Sequence, residues 1–237
     1  MTKAAARSPQ DTEFINLSSA SEDDFKSFYT NLLGAWFPAD ELDTLENLRS
    51  AVEDNADGIL ALAEGRVIGG SVYEHFVGDS VQLLGYLVVD GAVRGRGVGA
   101  ELLRLTIAQS ASKLALAEIE DPRYWPITER SDPVARLRFW ERQGCMLLPI
   151  PYTQPALRPE SRRVRHLLLI VVPQGTQSLP DEIPAPLVLE FLREYYESSE
   201  GSISDDDPEL SELWALCSEG HLQLWPIDRL EVTDAHH

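Results

Sequence analysis

The chain has little cysteine, with only Cys145 and Cys217 among 237 residues. That scarcity excludes a disulfide scaffold and fits a reducing cytosol, so a cytoplasmic location is expected. Long apolar runs are also missing. None approaches the ~20 residues of a membrane-spanning helix, and Met1 to Gln10 lacks the apolar stretch of a signal peptide. No membrane partner is expected. Positive charge is scarce, with 20 Lys and Arg against 39 Asp and Glu, a formal charge of −19. Such a surface repels a phosphate backbone, so no nucleic-acid partner is expected. No His, Cys, Asp or Glu spacing resembles a metal site, and no metal is expected. The Gly-Lys-Ser/Thr signature of a Walker loop does not occur.

What remains is an ordinary globular composition, 43% hydrophobic and 25% charged, long enough for one good core with an added lobe. The charge is uneven. Pro173 to His237 carries fifteen acids against two arginines, while Arg123 to Arg165 carries nine arginines against four acids. Opposite segments of this kind are expected to neutralise each other, across the fold or across a homodimer, unless the tail is merely solvated.

Periodicity orders the chain. Residues 1–12 are polar and expected to fray. Phe14–Leu17 reads as a strand. Ser21 caps a helix bearing Phe25, Phe28, Leu32 and Leu33. Pro38 opens a second helix with Leu42, Leu45, Leu48 and Val52. Gly58–Ala63 and Val67–Phe76 flank a short turn as a hairpin, and Gln82–Val89 adds a third strand. A helix over 98–112, a strand over 114–120, a loop over 122–132 and a helix from Pro133 to Gln143 follow. Cys145–Pro149 and Val164–Val172 are the last strands of the main region, 13–172. Beyond it, 173–237 is an acidic segment with helices near 184–196 and 208–217 and a short strand near Leu222–Trp225.

The densest signal is Leu84–Asp90 running into Arg94-Gly-Arg-Gly-Val-Gly-Ala100. An apolar strand ends, and a glycine-rich loop with two arginines opens a helix. Glycine lets the backbone approach a ligand closely, and a helix N-terminus favours an anion, so the loop is built for a phosphate or pyrophosphate. Read as Gly95-x-Gly97-x-x-Ala100, it fits the dinucleotide fingerprint, with Glu118 or Glu120 about twenty residues on as the ribose acid. Read as Arg94-x-x-Gly97-x-Gly99, it resembles the acyl-CoA loop of the GCN5-related N-acetyltransferase (GNAT) superfamily. A dinucleotide fold should not place a three-stranded meander before this loop, whereas the acetyltransferase order does. The segment Phe139-Trp140-Glu-Arg-Gln-Gly-Cys145 is similar to a later helix motif of the same family.

The resemblance implies an α/β (α+β) fold, a mixed and mostly antiparallel central sheet flanked by helices, here with a C-terminal helical extension. It implies acetyl-CoA or another acyl-CoA as cofactor and an amine-containing acceptor, with direct transfer in a ternary complex. The backbone of Arg94, Gly95, Arg96, Gly97, Val98, Gly99 and Ala100 would hold the pyrophosphate. Leu87, Val88 and Val89 would offer backbone groups to the pantetheine, and Trp140 would lie beside the CoA arm. Trp140 also stands where the family often has a tyrosine that protonates the departing thiolate. Indole cannot do so, which leaves water, Tyr124 or Tyr152, an unassisted departure, or a CoA-binding module without transferase chemistry.

An attacking amine must be neutral, so a base is needed. Glu118 and Glu120 are the candidates, because their i, i+2 spacing points both carboxylates to one face of a strand. Two adjacent acids at an apolar cleft are expected to raise one pKa. Tyr124, Tyr152 and Gln154 lie on the two long loops expected to form the acceptor pocket.

Overall fold

A computed structural model describes residues 12–175 and 178–230. The expected frayed segment 1–12 lies almost wholly outside them, as do residues 231–237 of the tail. The chain opens with β1 (Glu13–Asn16) and α1 (Glu22–Ser27), where the Ser21 hydroxyl accepts from Asp24 N–H as the N-cap. The helix continues through a π-helical stretch, Phe28–Leu33, into α2 (Gly34–Trp36). The helix expected from Pro38 does not start there. Ala39–Glu41 is one 3₁₀ turn, and α3 (Leu45–Asp54) begins only after Thr44, whose hydroxyl accepts from Asn47 N–H at 3.0 Å. The break has a cause: Asp43 is held by two tyrosines, its carbonyl accepting from Tyr29 Oη and its N–H donating to Tyr86 Oη.

The hairpin is β2 (Ala56–Ala63) and β3 (Arg66–Phe76), followed by β4 (Val81–Val89), α4 (Val98–Ala108), β5 (Leu114–Glu120), α5 (Pro133–Arg142) and β6 (Met146–Leu148). A two-residue pair, β7 (Thr153–Gln154) with β8 (Val164–Arg165), precedes β9 (Leu167–Val171). One strand was expected over 164–172; His166 at φ +62° divides it. The tail supplies β10 (Glu182–Pro184), α6 (Ala185–Glu200), α7 (Ser211–Cys217), β11 (His221–Gln223) and β12 (Trp225–Pro226).

Eight strands form the main sheet in the order β1-β2-β3-β4-β5-β9-β6-β12. Every neighbour is antiparallel except β4 with β5, which run parallel. That pairing covers only Val81–Leu84 against Leu114–Ala117. Opposite β3, Val72 meets Tyr86 and Tyr73 meets Leu84, so Gly85 is an extra, bulged residue. Past the bulge, 85–89 and 118–120 have no register with each other. The two strands splay.

Helices α4 and α5 cover one face, where Leu102 and Leu103 of α4 and Leu137 and Trp140 of α5 are buried with Ile68, Ala117 and Ile119 of the sheet. The other face carries two separate apolar clusters. Phe28, Leu32 and Leu33 of the first helix pack on Leu60, Val72 and Val88. The tail packs on the rest, with Val188, Phe191, Leu192 and Tyr196 against Val81, Leu83, Leu116 and Leu169. The acidic tail is therefore integral to the core, and β12 extends the sheet beside β6. Its carboxylates meet the basic segment as well: Arg163 pairs with Glu200 at 2.7 Å, Asp207 at 2.8 Å and Glu209 at 3.3 Å, and Arg165 pairs with Glu209. These charges neutralise across the fold.

Candidate active site

Period-2 alternation dictates what lies between the two clusters. Along β3, Val72 belongs to the N-terminal cluster and Phe76 to the tail cluster, and Glu74 stands between them on the same face. Along β5, Leu116 belongs to the tail cluster and Glu118 follows on the same face. At the middle of β4 lies bulged Gly85, where a Cβ would meet nothing within 4 Å. The seam between the cores is thus a crevice with a glycine floor and carboxylate walls.

Glu118 is the best-supported of these acids. Tyr152 Oη donates to its Oε1, Gln154 Nε2 donates to Oε2 at 2.8 Å, and Tyr195 of α6 lies near enough to act on its charge. Glu118 as a residue is half-buried. Burial pushes its pKa above the ordinary carboxylate value, and Tyr152, Gln154 and the nearby Tyr195 hydroxyl pull it partly back. The expected cause, repulsion from Glu120, is not what raises it. Glu120 is buried and engaged elsewhere, with Oε2 accepting from Ser131 Oγ and pairing with Arg136 at 3.0 Å.

Sequence reasoning missed two further acids. Glu74 is pushed up to about 7 by burial and by the charges of Asp43 and Glu118. Glu41 is also pushed up to about 7, by burial first and then by Glu120, with Arg136 opposing. Glu74 stood out as one charged residue in an apolar strand, a usable signal. Glu41 carried no such signal: it fell within the helix expected from Pro38 and lies instead at the end of the Ala39–Glu41 turn, buried. Tyr195 read as part of an apolar helix face; nothing in its spacing announced a partner on β5.

The expected acceptor residues separate. Tyr152 and Gln154 are 4% and 5% exposed and hold Glu118. Tyr124 is 59% exposed and stacks on His166 at 4.1 Å, not on the crevice. An open depression of about 740 Å³ lies elsewhere, lined by Arg158, Arg162, Arg163 and Arg165 with Glu200 and Glu209, and includes neither Glu118 nor the glycine loop.

The loop after β4 has the expected local geometry. Gly95 and Gly97 sit at φ +77° and +83°, where a side chain is strained. Gly97 is the N-cap of α4 and offers no side-chain bond to its first turn, so those N–H groups point outward unpaired by a cap. Val98 is buried, whereas Gly99 and Ala100 are partly exposed. Arg94 lies over the Trp36 ring at 4.0 Å, and its Nε donates to the Val89 carbonyl at 3.3 Å. Arg96 has no ion pair among the described residues. Leu87 and Val89 are partly buried and Val88 is buried, with the strand edge facing the splay. Trp140 is 5% exposed and packed in the core with Leu137, Leu147 and Ile170. The aromatic reaching the loop is Phe139, whose ring would lie 3.8 Å from a Cβ on Gly99.

These carboxyls set a pH dependence of stability. A carboxyl whose folded pKa is raised loses stability as pH rises from its unfolded value to its folded one, here from 4.5 to about 7 for Glu41 and Glu74. Glu200 and Asp207 are lowered, chiefly by Arg163 overcoming burial at Glu200, so their contribution is lost as pH falls below 4.5 and 3.8. The melting temperature of the free protein is expected to be higher at pH 5 than at pH 8, and Glu41→Gln or Glu74→Gln should narrow that gap. A melting curve flat across this range in the wild type would remove the buried, uncompensated acids from the account.

The fold is that of the GNAT acetyltransferases. A GNAT-family acetyltransferase from Bacteroides thetaiotaomicron superposes with a TM-score of 0.53 at 23% identity, covering 68% of this chain and 86% of its own. One from Desulfovibrio desulfuricans gives 0.51 at 14% identity, covering 69% and 99%. No family model and no curated protein sequence matches the chain. Among the described residues, no helix is long and apolar enough to cross a membrane, and no three His, Cys, Asp or Glu side chains converge as a metal site.

Proposed function

We propose that the protein is an acyl-CoA-dependent N-acyltransferase, with acetyl-CoA as the donor and an amine as the acceptor. One observation carries this reading: β4 and β5 part at the Gly85 bulge beside Glu118, directly before a glycine loop that opens α4. The unpaired N–H groups at Gly97–Ala100 suit a pyrophosphate, with Arg94 and Arg96 adding charge. The free edge of Leu87–Val89 suits the amides of pantetheine, which hydrogen-bond as an added strand does. That route leads the thioester to the gap at Gly85.

On this reading Glu118 takes the proton from the acceptor ammonium, directly or through water, and the neutral amine attacks the thioester carbonyl. The tetrahedral intermediate then collapses, breaking the C–S bond; the acylated nitrogen sheds its extra proton to water, and the departing CoA thiolate takes one up from water. Tyr152 and Tyr195 stay protonated, because burial pushes their hydroxyls well above the usual tyrosine range. Tyr152, with Gln154, holds the base in place. With Trp140 in the core, water is left as the proton source for the thiolate, an ordinary thiol pKa near 8.5 making that loss tolerable. The two buried free thiols fit the reducing cytosol we assign it to.

A thermal-shift panel tests the donor. Acetyl-CoA and CoA should raise the melting temperature, by the amount mass action gives at saturating ligand, ~2.7 kcal/mol at a hundredfold excess over Kd. NAD(P) should not. Stabilisation by NAD(P) without CoA would return the loop to a dinucleotide and an oxidoreductase. CoA binding without thiol release across an amine panel would favour a binding module, the reading that Trp140 motivates.

A further inference from the structure

We infer that the seam crevice takes an acceptor with two positive charges, an organic amine carrying a second cationic group besides the one that is acylated. This deepens the transferase reading of the same site and rests on it. The charge balance is the first argument. Glu74 and Glu118 line the seam at Gly85, and Glu41 and Glu120 lie near Arg136, with Asp43 close to Glu74. Arg136 is held by Glu120, and Arg158, which reaches the Ala39 carbonyl, pairs with Glu160, so neither guanidinium pairs with Glu41 or Glu74.

The second argument is independent of charge. Two buried oxygens here have no hydrogen-bond partner: Oε1 of Glu41, a residue 9% exposed, and Oε1 of Gln154, 5% exposed. Gln154 is fixed through its other amide atom to Glu118, so its free carbonyl stays beside that carboxylate. The Glu74 carboxylate has no hydrogen bond or ion pair among the described residues. The unmet groups of Glu41, Gln154 and Glu74 are acceptors, and the unmet donor nearest in the chain fold, Nε of Arg158, belongs to a guanidinium that donates to the Ala39 carbonyl at 2.6 Å. Buried acceptors require donors, and an ammonium or guanidinium supplies several N–H groups with the compensating charge. A neutral acceptor would supply donors without the charge, and an anionic one would add repulsion.

The third argument concerns spacing. No three of these acids converge as a metal site among the described residues. Separated carboxylates match charges distributed along an organic chain better than one metal ion. In this arrangement the amine near Glu118 loses its proton and reacts. The second group remains charged against Glu41 and fixes the orientation, so it contributes to specificity and not to the chemical step.

Titration calorimetry on the full chain tests this with short α,ω-diamines and their monoamine homologues, with magnesium chloride as a separate ligand. At least one diamine should bind about tenfold or more tightly than its monoamine, and Glu41→Gln should abolish the preference. Glu74→Gln is a second variant should Glu41→Gln fail to fold. Equal binding of every diamine and its monoamine overturns the proposal, as does a preference that survives both substitutions, or magnesium binding at Glu41 in place of the diamine. The CoA thermal shift is read separately. A protein stabilised by CoA but indifferent to the second charge loses this inference and keeps its proposed function.

Discussion

Glu118→Gln is expected to lower kcat by about 10²–10⁴-fold, the usual worth of a positioned general base, with acetyl-CoA affinity unchanged. Glutamine fills the same volume: its carbonyl can accept from Tyr152, and its amide can donate to Gln154 once that amide turns its unpartnered oxygen toward it, so loss of fold is not the expected route. The wild-type rate should rise with pH through a pKa above the ordinary carboxylate range, because burial holds Glu118 protonated at low pH. In the variant that limb should vanish. Glu74, pushed up to about 7 beside it, is the competing base. Full activity in Glu118→Gln with loss in Glu74→Gln would move the role across the seam. Full activity in both would remove general-base chemistry from this crevice.

Phe191→Ala should destabilise the whole molecule by about 3–5 kcal/mol, the cost of removing a fully buried phenyl ring. Phe191 is 0% exposed, meets Phe76 edge-on at 5.4 Å and stacks on Tyr195 at 5.7 Å. For a domain of this size that corresponds to a fall in melting temperature of about 10 °C. The variant also loosens the shelf on which Tyr195 reaches Glu118, so activity per folded molecule should fall at temperatures where the protein remains native. A loss confined to the tail, with the sheet melting as in wild type, would show that the tail is an appendage and not part of the core. Chemical denaturation followed by two probes, one near Trp214 and one near Trp36, distinguishes these cases.

The residues that were legible share one property: their role depends on neighbours in sequence. The strand over 114–120, the hairpin turn and the glycine loop follow from period, turn chemistry and positive φ, all local. The pairing of Tyr152 and Gln154 with Glu118 was half legible, since the loop was expected near Glu118 but its side chains were not expected to hold that carboxylate. Glu120 shows the opposite failure. Its spacing from Glu118 placed it on the right face, yet Arg136 and Ser131, brought in by α5 and the loop before it, occupy its carboxylate. Tyr124 sat in the correct loop but turned outward to stack on His166.

Alternation and glycine placement in the sequence determined a meander, a phosphate-type loop and a pair of acids on one strand face, because these are properties of the chain within a few residues. Tertiary structure decided that Glu118 meets Tyr152 and Gln154 while Glu120 pairs with Arg136, what raises the Glu118 pKa, and that the acidic tail packs on the same sheet face. It did so by packing two apolar clusters on one face of the sheet and leaving a gap at Gly85. Burial and Coulomb energy depend on distance in space, and Glu41, Glu74, Glu118 and Tyr195 lie far apart along the chain.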